Sequence, residues 1–131
     1  MLELRDKFIE NGIPYDDIDP EMIELLDVFN FHLGLKTQFC CYGHNHSSPT
    51  NRQTEIIFDK SVTDEDIYHL AEQTGGAYLH ITFNKWVRYY PVMSNWTMNL
   101  GVTYEDQDSP EKKKYTDEVV EVLRNCKPRT T

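Results

Sequence analysis

The sequence predicts an α+β fold, a two-layer sandwich in which an antiparallel sheet of about five strands carries helices on one face. Three observations predict it. Short stretches of period-two alternation recur between residues 35 and 104, the pattern of half-buried strands. Other stretches place apolar residues at the spacing of a helix face. The order that results, α-β-β-α-β-β-β-α, sets runs of hairpins between helices, and this favours antiparallel pairing over a parallel sheet.

The elements follow in chain order. Residues 1–18 read as an N-terminal arm or short helix. The helical part covers 2–11 and ends at Asn11-Gly12, and Ile13-Pro14-Tyr15 is an extended connector. Asp19-Pro20 opens the next helix, with Asp as N-cap and Pro at the first helical position. Met22, Ile23, Leu26 and Phe29 form its apolar stripe, and Gly34 is the expected C-terminal glycine. A strand over 35–42 and a returning strand over 54–59 enclose a polar loop, 43–53, longer than the usual hairpin connection. Thr63 and Asp66 have capping-box spacing at the start of a helix whose stripe is Ile67, Leu70, Ala71 and Thr74. Strands are predicted over 77–84, 86–92 and 95–104, with a tight turn at Asn84-Lys85 and Pro91 disturbing the end of the second. Asp108-Ser109-Pro110-Glu111 starts the last helix, which Lys127-Pro128 stops. Residues 127–131 are expected to fray, and 1–131 to form a single domain.

Composition limits the function. The 131 residues carry a net charge of -9, with a sequence pI of about 4.9. A phosphate-backbone binder needs a basic surface, so direct nucleic-acid binding is not expected, nor is binding to an anionic membrane. No apolar run reaches the roughly 18–20 residues that span a bilayer. The charged start MLELRDKFIENG does not resemble a signal peptide, so the expected location is cytoplasmic. The three cysteines are odd in number, and Cys40 and Cys41 are adjacent in a strand, which disfavours a disulfide framework.

The charge is uneven. Residues 1–30 hold nine acids against two bases, whereas 85–104 contain no acid and are rich in aromatic side chains. An acidic segment of this kind suits a basic protein surface. The candidate partner-binding residues are Asp16, Asp17, Asp19, Glu21, Glu24 and Asp27, with Trp86, Tyr89 and Tyr90 as aromatic anchors. The ordinary alternative is a solvated helix face.

Two further constellations stand out. The predicted sheet face opposite the helices carries Tyr78, His80, Thr82, Asn84, Asn95, Thr97 and Asn99. Neutral hydrogen-bonding groups there, with Arg88 and Arg124 as cations, suit a nucleotide or another small anion, or a homodimer made by sheet packing. The ligand-binding candidates are His80, Asn84, Arg88, Asn95 and Arg124. The stretch FCCYGHNH, residues 39–46, sets thiols beside imidazoles. Cys41, His44 and His46, with Cys126 as a fourth ligand, are the candidate zinc set, although the spacing is not that of a zinc finger. Cys40 or Cys41 with His44 is the corresponding thiol-enzyme reading. The bland alternative packs Cys41 as a small apolar residue. Walker, GxGxxG, GxSxG and HExxH patterns are absent, and no catalytic residue or obligatory cofactor is expected.

The segment 34–58, with its apolar lead into FCCYGH and then TEIIF, resembles small uncharacterised bacterial and phage-type proteins in which a strand ends in C-x-G-H or C-x-x-G-H. In size and charge the chain is also similar to phage inhibitors of host defence, the anti-CRISPR proteins among them. That resemblance implies a non-catalytic acidic inhibitor occupying the basic nucleic-acid-binding surface of a defence enzyme. The alternatives are a nucleotide- or anion-sequestering module on the polar sheet face, and the zinc or thiol enzyme.

Overall fold

The computed structural model describes residues 3–41, 54–75, 81–89, 92–100 and 110–129. Among these, the helices are α1 (Leu4–Glu10), α2 (Ile23–Asp27), α3 (Asp64–Thr74) and α4 (Pro110–Arg124). The strands are β1 (Thr37–Cys41), β2 (Thr54–Phe58), β3 (Ile81–Tyr89) and β4 (Val92–Leu100), all antiparallel in the order β1-β2-β4-β3. The α+β class holds, but the described sheet has four strands where about five were expected.

The difference lies at Asn84-Lys85. Instead of turning, these residues continue β3, pairing with Thr97 and Trp96. Side chains favour the straight course. Asn84 Nδ2 donates to Asn99 Oδ1 on β4 (3.3 Å), and Lys85 Nζ donates to Asp64 Oδ1 on α3 (2.8 Å). Cross-strand partners of this kind outweigh the weak turn preference of an Asn-Lys pair. Two predicted strands therefore merge, and β4 begins at Val92, not at residue 95.

On β2 and β4 the alternation is as the sequence suggests. Ile56 and Phe58 on β2 and Met98 and Leu100 on β4 are buried on one face, in one cluster with residues from the helices. Met22, Leu25, Val28 and Phe29 come from the α2 region, Ile67 and Leu70 from α3, and Val119, Val120 and Leu123 from α4. Phe29 meets Phe58 edge-on at 5.2 Å between ring centroids, a geometry worth about 0.5–1.5 kcal/mol beyond burial.

The segment from Asp19 to Gly34 is more irregular than a single helix. A 3-10 turn at Pro20–Met22 leads into α2, which widens into a π turn at Val28–His32. The Leu33 amide donates to the Val28 carbonyl (2.9 Å), and the Leu35 amide to the Phe29 carbonyl (2.8 Å). Gly34 at φ +69 provides the left-handed residue this closure requires. Leu35 is thus spent on ending the turn, and β1 starts two residues later than expected.

Residues 127–129 follow α4 with contacts to α3. The Lys127 amide donates to Gln73 Oε1 (2.8 Å), and its carbonyl accepts from Gln73 Nε2 (3.0 Å). Arg129 Nε reaches Asp66 Oδ1 at 2.8 Å. Lys127 and Arg129, beyond the end of α4, are thereby tied to α3.

Candidate functional site

The first turn of the site is set by β1. Its register slips between Thr37 and Phe39: Thr37 pairs with Phe58, yet Phe39 pairs with Ile57. Gln38 is the extra residue of a bulge, a device that re-aims side chains at a sheet edge. Asparagines hold this bulge from both sides. Asn30, in the π turn, donates from Nδ2 to Thr37 Oγ1 (2.9 Å) and to the Leu26 carbonyl (2.9 Å), and accepts from the Thr37 amide (3.1 Å). Asn95, on β4 and only 2% exposed, donates from Nδ2 to Gln38 Oε1 (3.0 Å) and to the Phe58 carbonyl (2.8 Å).

The other wall is the N-terminal arm. It docks through Phe8, fully buried, whose ring meets Tyr15 at 5.4 Å and Phe31 at 5.6 Å. Lys7 pairs with Asp27 (2.8 Å), and Arg5 with Asp16 (2.7 Å). Gly12, at φ +77, turns the chain back after α1.

Between arm and bulge lies a pocket of about 430 Å³, within the usual size of a ligand site. Ile13, Pro14, Ile18 and Leu26 give it apolar walls. Asp17, Asp19, Thr37 and Gln38 add polar groups, and Cys40 completes the strand side. Asp17 is exposed and Asp19 half-buried. The sequence pointed to the two aspartates but not to the cavity, because its strand side is built by contacts between residues far apart in the chain.

The acidic candidates have unequal roles. Asp16 is held by Arg5, whose guanidinium lowers its pKa from the usual carboxylate range. Asp27 lies between Lys7 and Arg124, the latter at 3.8 Å. Asp17 and Glu24 are exposed, and Glu21 is half-buried with Oε2 buried and lacking a hydrogen-bond partner. Two of the aromatic anchors, Trp86 and Tyr89, fall on β3. Trp86 pairs with Asn95 and Tyr89 with Val92, both on β3, the edge opposite β1 and about 14 Å away at ordinary strand spacing. Tyr90 lies outside the described residues.

The small-anion set is also divided. Asn84 and Asn95 occupy register positions of one parity, on the sheet face away from the core, and Arg88 pairs with Met93. Arg124 belongs to α4 on the opposite side and pairs with Asp27. His80 lies outside the described residues. Asn95 is a structural tie, and Thr97 beside it is buried too, with an Oγ1 that has no hydrogen-bond partner.

Of the zinc set, His44 and His46 lie outside the described residues. The register sets Cys41 opposite Glu55 and Cys40 opposite Ile56, so the half-buried Cys40 packs on the core side, where Cys41 was expected. Cys126 is buried in the core, its thiol donating to the Val122 carbonyl (3.3 Å), and burial pushes its pKa up. A thiol kept protonated is a poor ligand or nucleophile. Among the described residues no three His, Cys, Asp or Glu side chains come together as a metal site. His32 and His69 donate from Nε2 to the carbonyls of Cys126 (2.8 Å) and Lys127 (3.1 Å). No helix among the described residues is long and apolar enough to cross a membrane.

Fold and pocket together define an acidic α+β protein with a cleft fixed between an N-terminal arm and a bulged edge strand. The chain belongs to the YoqC prophage protein family, whose model matches residues 6–130. No curated protein and no solved structure matches it. Membership agrees with the phage-type resemblance of the sequence.

Proposed function

We propose that this chain is a phage-encoded binding protein whose acidic arm engages the basic surface of a host protein, in the manner of an inhibitor that competes with nucleic acid. The observation that carries the reading is the placement of Asp17 and Asp19 beside an apolar pocket whose strand side Asn30 and Asn95 hold in place. A docked arm loses less conformational entropy on binding than a free segment would, so more of its charge and apolar area counts toward affinity. Membership of a prophage family supports the phage setting. A host nuclease of an anti-phage system, as in anti-CRISPR inhibition, is the partner class that the charge suits best.

The test reverses charge only where the fold does not use it. Asp16 and Asp27 are engaged in ion pairs within the chain, so Asp17→Lys and Glu24→Lys form the informative double variant. The wild-type chain is expected to capture a basic, nucleic-acid-binding host protein at low salt, to lose it at high salt, and to be displaced by added DNA or RNA. The double variant is expected to lose capture while unfolding at the wild-type denaturant midpoint. Capture that withstands both competing nucleic acid and charge reversal overturns the reading.

A further inference from the structure

We infer that an ordered water bridges Asn95 Oδ1 and Thr97 Oγ1 on β4, and that Thr97 thereby positions the Gln38 bulge. Neither oxygen has a hydrogen-bond partner among the described residues, and the two residues are only 2% and 4% exposed. A polar atom buried bare forfeits its hydration without return, so such atoms in folded proteins are met by protein groups or by water. Here two of them fall together. Asn95 pairs with Trp86 and Thr97 with Asn84. These register positions are two apart, which puts both side chains on one face of β4. The next asparagine on that face, Asn99, accepts from Asn84 Nδ2 (3.3 Å), so the deficit on β4 is confined to residues 95 and 97 among the described residues.

The chemistry of the two atoms selects the occupant. Asn95 Oδ1 only accepts, and the Thr97 hydroxyl donates or accepts. An anion is repelled by the amide oxygen. A metal cation needs several oxygen ligands, and no three His, Cys, Asp or Glu side chains gather among the described residues. A water donates to Oδ1 and exchanges a hydrogen bond with the hydroxyl in either sense, which meets the minimum of two partners that a buried water requires. Residues two apart on a strand lie about 6.6 Å apart at Cα, and a water with bonds of about 2.8 Å to each oxygen spans such a gap. The consequence reaches the bulge. Asn95 Nδ2 is spent on Gln38 Oε1 (3.0 Å) and on the Phe58 carbonyl (2.8 Å). A bare Oδ1 would favour rotations of the side chain that release Gln38, whereas a bound water removes that penalty and keeps the network closed.

The experiment compares the full-length wild type with Thr97→Val and Thr97→Ser. A crystal structure of the wild type, at a resolution that orders waters, is expected to show a water oxygen about 2.6–3.2 Å from both atoms. Thr97→Val keeps the shape of the side chain and removes the hydroxyl. With the water in place, that change strands the water and Asn95 Oδ1, so the denaturant midpoint falls; without it, removing an orphaned hydroxyl raises the midpoint. Positioning has its own readout, the side-chain amide signals of Gln38 in 15N-labelled protein. They are expected to shift in Thr97→Val and to keep their wild-type positions in Thr97→Ser, which retains the hydroxyl. A dry site, density for any other occupant, or a raised midpoint in Thr97→Val overturns the water. Gln38 signals that stay in place in Thr97→Val, or that move as far in Thr97→Ser, overturn the positioning role.

Discussion

Asn30 and Asn95 fix the bulge on which the strand side of the site depends. Asn30 holds both the amide and the hydroxyl of Thr37 and also occupies the Leu26 carbonyl. In Asn30→Ala these groups lose their partner in a half-buried setting, which costs about 1–3 kcal/mol. Chemical denaturation is expected to show that loss as a lower midpoint with an unchanged slope; a wild-type midpoint would mean that water replaces the asparagine without penalty. Neither role was legible in the sequence. Asn95 reads there as one polar residue of a strand face, and Asn30 as an unremarkable member of a helix. Their partners are 57 and 7 residues away, and no local pattern marks such pairs. Asp17 and Asp19 were legible because charge density is a property of sequence alone, and Cys40 was misplaced because one inserted residue in a strand exchanges its two faces.

Individual elements were legible where a local rule governs them. The capping box of α3 is present as the T-x-x-D spacing suggests: the Asp66 amide donates to Thr63 Oγ1 (3.2 Å), and the Thr63 amide to Asp66 Oδ2 (2.9 Å). Thr63→Ala is expected to cost about 1 kcal/mol in thermal or chemical unfolding. Asp66 also carries a pH dependence. Burial pushes its pKa up, but the Thr63 amide, the Arg129 guanidinium and the Thr63 hydroxyl together bring it below the ordinary value. A carboxylate with a depressed folded-state pKa stabilises the fold above its unfolded value, about 3.9, and that contribution disappears as pH falls through the folded-state pKa. The stability difference between wild type and Asp66→Asn should therefore be constant near neutrality and shrink below about pH 4. A difference that stays constant through acid would assign the effect of Asp66 to packing alone. Strand boundaries were less legible than helix starts. The continuation through Asn84-Lys85 depends on Asn99 and Asp64, partners that only the assembled sheet and α3 supply.

The whole molecule joins two units of unequal size, and the site lies where they meet. The main apolar cluster links sheet, α2, α3 and α4, whereas Phe8 packs outside it, against Tyr15 and Phe31. The sequence indicated an arm or short helix over 1–18, but its docking rests on Phe8 reaching Phe31 and Lys7 reaching Asp27, contacts across about twenty residues that no periodicity encodes. A small apolar cluster reinforced by surface ion pairs, each worth at most about 1 kcal/mol, should open at a lower free energy than the sheet. Phe8→Ala tests this. A buried Phe→Ala change in a rigid core costs about 3–5 kcal/mol, but an arm that can undock limits the loss to its own docking energy. Native-state hydrogen exchange is then expected to show strong deprotection of the α1 amides, Leu4–Glu10, with much smaller change in β2. Since the arm carries Asp17 of the acidic set, the same variant should weaken capture of the basic partner while retaining a folded sheet. Equal deprotection of α1 and β2 would instead mean that arm and sheet form one cooperative unit, and binding would then fall only in proportion to global stability.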